Sequence, residues 1–297
     1  MDERSWLAGR FEENRSRLRS VAYRMLGSLS EADDAVQEAW LRLSRTDASG
    51  IENLAGWLTT VVARISLDML RARRSRAEEP VGARVPDPII GGNEGIDHPA
   101  FVDPEHQAIM ADSISLALLV VLETLAPPER LAFVLHDMFD VPFDEIAPIV
   151  GKTPAAARQM ASRARRRLQG ASTPPDADIG AQQEVVAAFL AAARDGDFDA
   201  LLRVLDPDVV SRSDLGTTSR VLRGAESVAK GAIMGAQLAA RGYLVMVNGA
   251  PGFVSFGEDS EPRAVGAFTV RKGRISEINV LADPDRLREL DIAGPSD

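Results

Sequence analysis

Pro80, Pro86, Pro88, Gly91, Gly92, Gly95, Pro99 and Pro104 fall within one short stretch of the chain. Proline removes a backbone donor and clashes with the preceding turn, so no helix or central strand runs through such a segment. The chain is thereby cut into a block before residue 77 and a block after residue 107. The break carries seven acids (Glu78, Glu79, Asp87, Glu94, Asp97, Asp103, Glu105) against Arg84 alone. A connection of this length without regular structure is uncommon inside a compact domain, and it predicts a flexible or functional linker.

Both flanking blocks read as helical. Residues 5–76 carry helical periodicity; Ser30 with Asp33 predicts a cap opening a helix to about Arg45. Thr46–Asn53 reads as a loop, and a further helix follows from Leu54 to about Arg76, with Leu54, Leu58, Val61, Val62, Ile65 and Met69 as its buried stripe. The second helical block covers 108–170. After a hinge at 171–181, residues 182–297 change pattern. Helices at Gln182–Arg194, Phe198–Leu205 and Gly224–Arg241 accompany strands at Val209–Ser213, Tyr243–Val247, Phe253–Phe256, Ala264–Arg271 and Arg274–Leu281. Helices followed by a meander predict an α+β domain with a curved antiparallel sheet. No internal repeat is visible.

The chain is acidic, with 34 Lys plus Arg against 44 Asp plus Glu, yet two segments run the other way. Lys152–Arg167 holds six basic residues and no acid, and Arg64–Arg76 holds five against Asp68. Local cationic patches on an acidic protein suit contact with a polyanion. With no cysteine, disulfides and thiolate chemistry are excluded, and His98, His106 and His136 are too scattered for a metal site. No metal or cofactor is expected. No apolar run reaches the ~20 residues of a membrane span, so no membrane partner and a cytoplasmic location are expected.

Phe143–Gln169 is the sharpest local signal. A short helix ends at Gly151, and Thr153-Pro154 fits a cap with proline at the first helical position. The spacing is that of a helix-turn-helix. Ala157, Ala161, Ala164 and Leu168 form one face of the second helix, while Arg158, Ser162, Arg165 and Arg166 form another that can reach base edges or phosphates. Pro148 inside the first helix predicts a shortening or kink.

In the helix from Leu54, the other face reads Trp57, Thr60, Arg64, Asp68, Arg71. A tryptophan on a basic face can stack on an unpaired base or wedge a duplex open; a tryptophan tucked against a neighbouring helix fits the spacing equally. The preceding helix has the opposite polarity: Asp34, Gln37, Glu38 and Leu41 share a face, an apolar residue in an acidic surface that suits a basic protein groove or a solvated exterior.

These segments carry a resemblance. Asp33-Asp34-Ala35-Val36-Gln37-Glu38-Ala39-Trp40-Leu41-Arg42, Gly56-Trp57-Leu58-Thr59-Thr60-Val61-Val62-Ala63-Arg64 and Asp68-Met69-Leu70-Arg71-Ala72-Arg73 resemble region two of extracytoplasmic-function sigma factors. Leu125-Ala126-Pro127-Pro128-Glu129-Arg130, Phe143-Asp144-Glu145-Ile146-Ala147 and Ser162-Arg163-Ala164-Arg165 are similar to their region four. The resemblance covers most of residues 10–170 in order. It implies two all-α sigma domains, 5–76 and 108–170, that bind RNA polymerase core (β′ and β subunits) and promoter DNA. On these positions it implies core binding by Asp33, Asp34, Gln37, Glu38 and Leu41. Trp57, Thr60, Arg64, Arg71, Arg73 and Arg74 would meet the −10 strand. Lys152, Thr153, Arg158, Gln159, Ser162, Arg163 and Arg166 would meet the −35 duplex.

Residues 182–297 resemble the cone-shaped SnoaL-like extension of one sigma-factor branch. Val85-Pro86-Asp87-Pro88-Ile89 looks like that branch's linker motif. Asp283-Pro284-Asp285-Arg286-Leu287 looks like its terminal Asn-Pro-Asp-Lys-Leu motif, with Asp for Asn and Arg for Lys; Ser213-Asp214-Leu215-Gly216 only partly matches its Asp-Gly-Gly-Gly segment. The resemblance implies regulation in cis through Val85, Pro86, Asp87, Pro88, Asp214 and Asp283–Leu287, with a small ligand of this domain as a candidate partner.

Two other classes share parts of the pattern. A ligand-sensing repressor shares the helix-turn-helix but has no use for the acidic face around Leu41. A cyclase or isomerase shares the cone-shaped fold, with Asp208, Asp214, Tyr243 and Asn279 as polar candidates. Residues 182–297 lack histidine and cysteine, the commonest neutral-pH base and the thiol nucleophile, so no enzymatic activity is expected.

Overall fold

The computed structural model describes residues 3–47, 50–75, 84–91, 114–171, 175–238, 241–290 and 292. Most of the acidic linker, with His98 and His106, and residues 172–174 of the hinge lie outside the described residues. The chain forms two compact units, Met1–Glu79 with Val121–Ser172, and Pro80–Val120 with Thr173–Asp297.

In the first unit, α1 (Glu3–Leu26), α2 (Leu29–Leu43) and α3 (Leu54–Ser75) pack as a bundle. The cap of α2 is Ser28, whose hydroxyl accepts from the Glu31 amide, rather than Ser30. Ser28-x-x-Glu31 has the Ser-x-x-Glu spacing two residues ahead of the expected pair. At the start of α3, Asn53 Oδ1 accepts from Gly56 N at 3.0 Å. The second helical block comprises α4 (Leu116–Glu123), which belongs to this unit only from Val121, α5 (Pro127–Phe133), a π-helical turn at Val134–Met138, α6 (Phe143–Val150) and α7 (Pro154–Ala171). Pro148 stands exposed within an unbroken α6.

The buried surface of α3 keeps Leu58, Val62 and Ile65 of the expected stripe and adds Thr59, Ala63, Ser66, Leu67, Leu70 and Arg73, while Leu54, Val61 and Met69 are only half-buried. The reason is double packing: α1 and α2 lie against one side, α5 and α6 against another. Arg130 on α5 is 2% exposed, donates Nε to the Arg24 carbonyl at 3.0 Å and ion-pairs with Glu123 at 2.8 Å. Arg24 in turn lies over the Phe139 ring, 4.7 Å from its centroid.

The second unit holds α8 (Ile179–Asp195), α9 (Phe198–Val204), α10 (Ala225–Leu238), α11 (Pro284–Glu289) and a seven-stranded sheet. The strands are β1 (Ile90–Gly91), β2 (Leu205–Asp214), β3 (Ser219–Arg223), β4 (Arg241–Val247), β5 (Ala250–Phe256), β6 (Pro262–Arg271) and β7 (Arg274–Leu281), in the order β1-β4-β5-β6-β7-β2-β3. The sheet is mixed rather than antiparallel throughout, because β2 runs parallel to β7. Val186, Phe189, Leu201, Val228 and Ala229 of the helices bury against Phe268, Val270, Ile275 and Ile278 of the sheet. The β4–β5 turn is Asn248-Gly249, with φ of 50° and 73°, so β5 begins at Ala250 and not Phe253. Two positive φ values in a two-residue hairpin are what Asn-Gly provides.

Candidate functional site

On α2, Asp34, Gln37 and Leu41 stand exposed on one face, with Leu41 38% exposed. Glu38 beside them ion-pairs with Arg42 at 2.9 Å. Asp33 turns the other way and accepts both Nε and Nη2 of Arg19, at 2.6 and 3.0 Å. The five residues thus split between an exposed acidic-apolar face and, at Asp33, a contact with α1.

On α3, Arg64 is exposed with no ion pair among the described residues, while Trp57 and Thr60 are half-buried on the same side. Arg71 pairs with Asp68 at 3.5 Å. Arg73 is drawn inside instead of joining the basic face. It is 9% exposed, ion-paired with Glu31 and directed at the Leu26 carbonyl. Arg74 donates to the Leu125 carbonyl at 2.8 Å. The helical repeat explains the split, since Arg71 and Arg73 are separated by about 200° around the axis.

The helix-turn-helix is built by local chemistry. Gly151 ends α6 with φ 68°, and Thr153 Oγ1 accepts from Ala156 N at 3.2 Å to cap α7. Ala157, Ala161 and Ala164 are fully buried, so the small side chains do let α7 pack closely. Of its cations, Arg163 and Arg167 share Glu129 at 3.6 and 3.2 Å, and Arg165 reaches Asp137 at 2.5 Å. Lys152, Arg158 and Arg166 have no carboxylate partner among the described residues; Gln159 is exposed and Ser162 half-buried beside them. Arg158 instead lies over the Phe143 ring.

A third cluster lies in the second unit and unites all three segments of the regulatory expectation. Arg286 Nη1 donates to Asp214 at 2.8 Å, Nη2 donates to the Val85 carbonyl at 2.7 Å, and Nε donates to Asp87 at 2.9 Å. The Asp214 carboxylate also accepts from Val85 N at 3.0 Å and Gly216 N at 3.1 Å. Asp283 caps α11, accepting from Asp285 N at 2.9 Å, while Leu287 is buried. Pro284 opens the helix. Burial opposes the charge on Arg286, but Asp87, Asp214 and Asp283 outweigh it and raise its pKa.

Sequence reasoning missed Asn248. Its Oδ1 accepts from Ile89 N at 2.9 Å and its own amide donates to the Ile89 carbonyl at 2.8 Å, clamping both backbone groups of one linker residue. The Asn-Gly pair between two apolar runs was the available signal. Pro86, Pro88 and Ile89 are buried, and Ile90–Gly91 adds to the sheet edge beside β4.

Of the polar residues weighed for an enzyme pocket, Asp214, Asn279 and Tyr243 share one face of the sheet, but their partners and burial differ. Asp214 is committed to the linker, and Asn279 accepts from Arg212 at 3.4 Å. Asp208 is exposed on β2, and Tyr243 is half-buried on β4. Among the described residues no helix is long and apolar enough to cross a membrane.

The comparisons with known proteins agree with this layout. Residues 10–76 match the family model Sigma-70 region 2, and residues 115–168 match Sigma-70, region 4. The ECF RNA polymerase sigma factor SigJ of Mycobacterium tuberculosis (strain ATCC 25618 / H37Rv) is 39% identical, over 93% of this chain and 91% of its own length. The probable ECF RNA polymerase sigma factor SigI of the same strain is 32% identical over 98% of each chain. The crystal structure of Mycobacterium tuberculosis SigJ superposes with a TM-score of 0.75 at 34% identity, covering 96% of this chain and 100% of that one.

Proposed function

Because the chain belongs to the extracytoplasmic-function sigma factors of RNA polymerase, which act in transcription initiation with polymerase core and promoter DNA, we propose how its surfaces divide that work. Asp34, Gln37, Glu38 and Leu41 dock on the β′ subunit, and the β subunit receives region four. Trp57, Thr60, Arg64 and Arg71 take the −10 strand, while Arg73 serves the bundle. Lys152, Thr153, Arg158, Gln159, Ser162 and Arg166 enter the −35 duplex, with Arg163 and Arg167 oriented by Glu129. The observation that carries this reading is the partition of charge on α7. Its acid-paired arginines lie toward Glu129 and Asp137, and its unneutralised cations are left for an anion. Run-off transcription with purified core tests it: Arg158→Ala and Arg64→Ala each reduce initiation in wild-type reading, and unchanged output from both refutes it.

The SnoaL-like domain is read as a regulator and not as an enzyme. Its Asp214 is held by Arg286 and the linker, which supports a structural use of the one buried carboxylate of the pocket candidates. By gripping Val85–Gly91 it restrains the connection between regions two and four. Truncation after Ala282 removes Arg286 and relieves the restraint, raising activity; truncation after Gln169 removes the whole domain together with the support it lends the sigma regions, lowering activity. Promoter-dependent transcription should shift in opposite directions for the two, and identical output from both and from full-length protein overturns regulation in cis.

A further inference from the structure

Three side chains from three consecutive segments of region four form one stack. His136, in the π-helical turn, has Nδ1 3.1 Å from the Val141 carbonyl, which fixes its ring. The His136 and Phe143 rings lie with centroids 3.8 Å apart and 32° between planes. On α7, the Arg158 guanidinium carbon sits 5.3 Å from the Phe143 centroid. Phe143 is 9% exposed, whereas Arg158 is exposed to solvent. The ring itself is anchored because Phe143 opens α6 directly after Pro142, whose carbonyl accepts from Glu145 N and Ile146 N.

A cation over an aromatic face uses the ring's negative quadrupole. The five N–H donors of arginine lie in the guanidinium plane, so such a contact leaves the donor edge free. An exposed arginine otherwise samples many rotamers and loses that freedom on binding. A ring that already holds the guanidinium lowers this cost and fixes which base edge the fork can meet.

We propose that Phe143 is the positioning residue for Arg158: without touching DNA, it aims the guanidinium fork at one base pair of the −35 duplex and so sets specificity there. The inference rests on the reading that α7 enters the major groove. His136, packed on the same ring, helps to hold it in place.

Binding of the full-length protein to a −35 duplex and its single-base variants, by fluorescence anisotropy, tests this. Arg158→Ala should weaken binding and flatten discrimination at one base pair. Phe143→Leu should flatten discrimination at the same base pair and weaken binding about two- to fivefold, the range of an exposed cation–π contact. Phe143→Tyr should behave as wild type, and Phe143→Leu should add nothing in the Arg158→Ala background. Discrimination retained by Phe143→Leu but lost by Arg158→Ala overturns the positioning role alone. So does an equal loss from Phe143→Leu in both backgrounds, which marks the ring as merely structural. No effect of Arg158→Ala overturns the −35 assignment itself. A measurement on wild type stands apart from any folding defect. The Arg158 Nε–H order parameter in the free protein should exceed that of the exposed Arg64, and equal mobility overturns the proposal.

Discussion

Arg286 and Asp214, 72 positions apart in sequence, are joined by a 2.8 Å hydrogen bond that closes the linker onto the C-terminal sheet. One guanidinium serves two carboxylates, since Asp87 accepts from it as well. Asp87 is 5% and Asp214 2% exposed. Both carboxylates therefore draw on the same side chain.

Removing that side chain takes a shared guanidinium from two buried carboxylates. Arg286→Met is expected to destabilise the second unit by about 3–5 kcal/mol, the usual cost of breaking a buried pair. Amide exchange at Val85 and Ile89 should accelerate together, since both donate to side chains of this junction. Unaltered protection of Val85 would show that Arg286 does not hold the linker. Arg286→Lys keeps the charge but cannot fork between two acids, so its effect should be intermediate.

Gly216 adopts φ 86°, and a methyl group there would lie 3.0 Å from the Asp283 carboxylate. Gly216→Ala should cost about 1–3 kcal/mol of backbone strain and push Asp283 off the start of α11. Hydrogen exchange at the Asp285 and Arg286 amides reads this displacement directly; protected amides in the variant argue against it.

Asp176 ties the start of the C-terminal domain to its last hairpin, accepting from Lys272 N and Gly273 N at 2.8 Å each. The Gly273 and Lys272 amides hold its pKa below the ordinary aspartate value, outweighing a small desolvation. A carboxylate with a depressed folded pKa contributes stability above its unfolded pKa and loses it as pH falls through the folded one. Asp176→Asn should therefore lower thermal stability near neutrality and converge with wild type in strong acid. Parallel stability curves across pH would dismiss the linkage.

Leu41→Arg with Asp34→Lys changes two exposed positions on α2. Thermal stability should stay within about 0.5 kcal/mol of wild type, as for surface substitutions generally. Co-purification with polymerase core should be lost. Retained association at wild-type yield would remove this face from the interface.

The sequence by itself determined whatever is governed by neighbours in the chain. The caps at Asn53 and Thr153, the turn at Gly151 and the alanine face of α7 follow from residues within a few positions of one another. So do the hairpins β4–β5, β5–β6 and β6–β7, because short turns leave antiparallel pairing as their outcome. The cap of α2 and the start of β5 were displaced only because a better local signal, Ser28-x-x-Glu31 or Asn248-Gly249, stood nearby. Tertiary structure decided the rest. No local rule gives the sense of β2 against β7, whose paired residues lie some 70 positions apart. The burial of Arg73 and Arg130 depended on where the neighbouring helices of the bundle lie. Periodicity along one helix names its faces but not what covers each. The linker shows the division most clearly. Its prolines forbid a helix from sequence alone, but only Asp214, Asn248 and Arg286, brought to the linker from β2, the β4–β5 turn and the last helix, supply the partners that its buried backbone groups require.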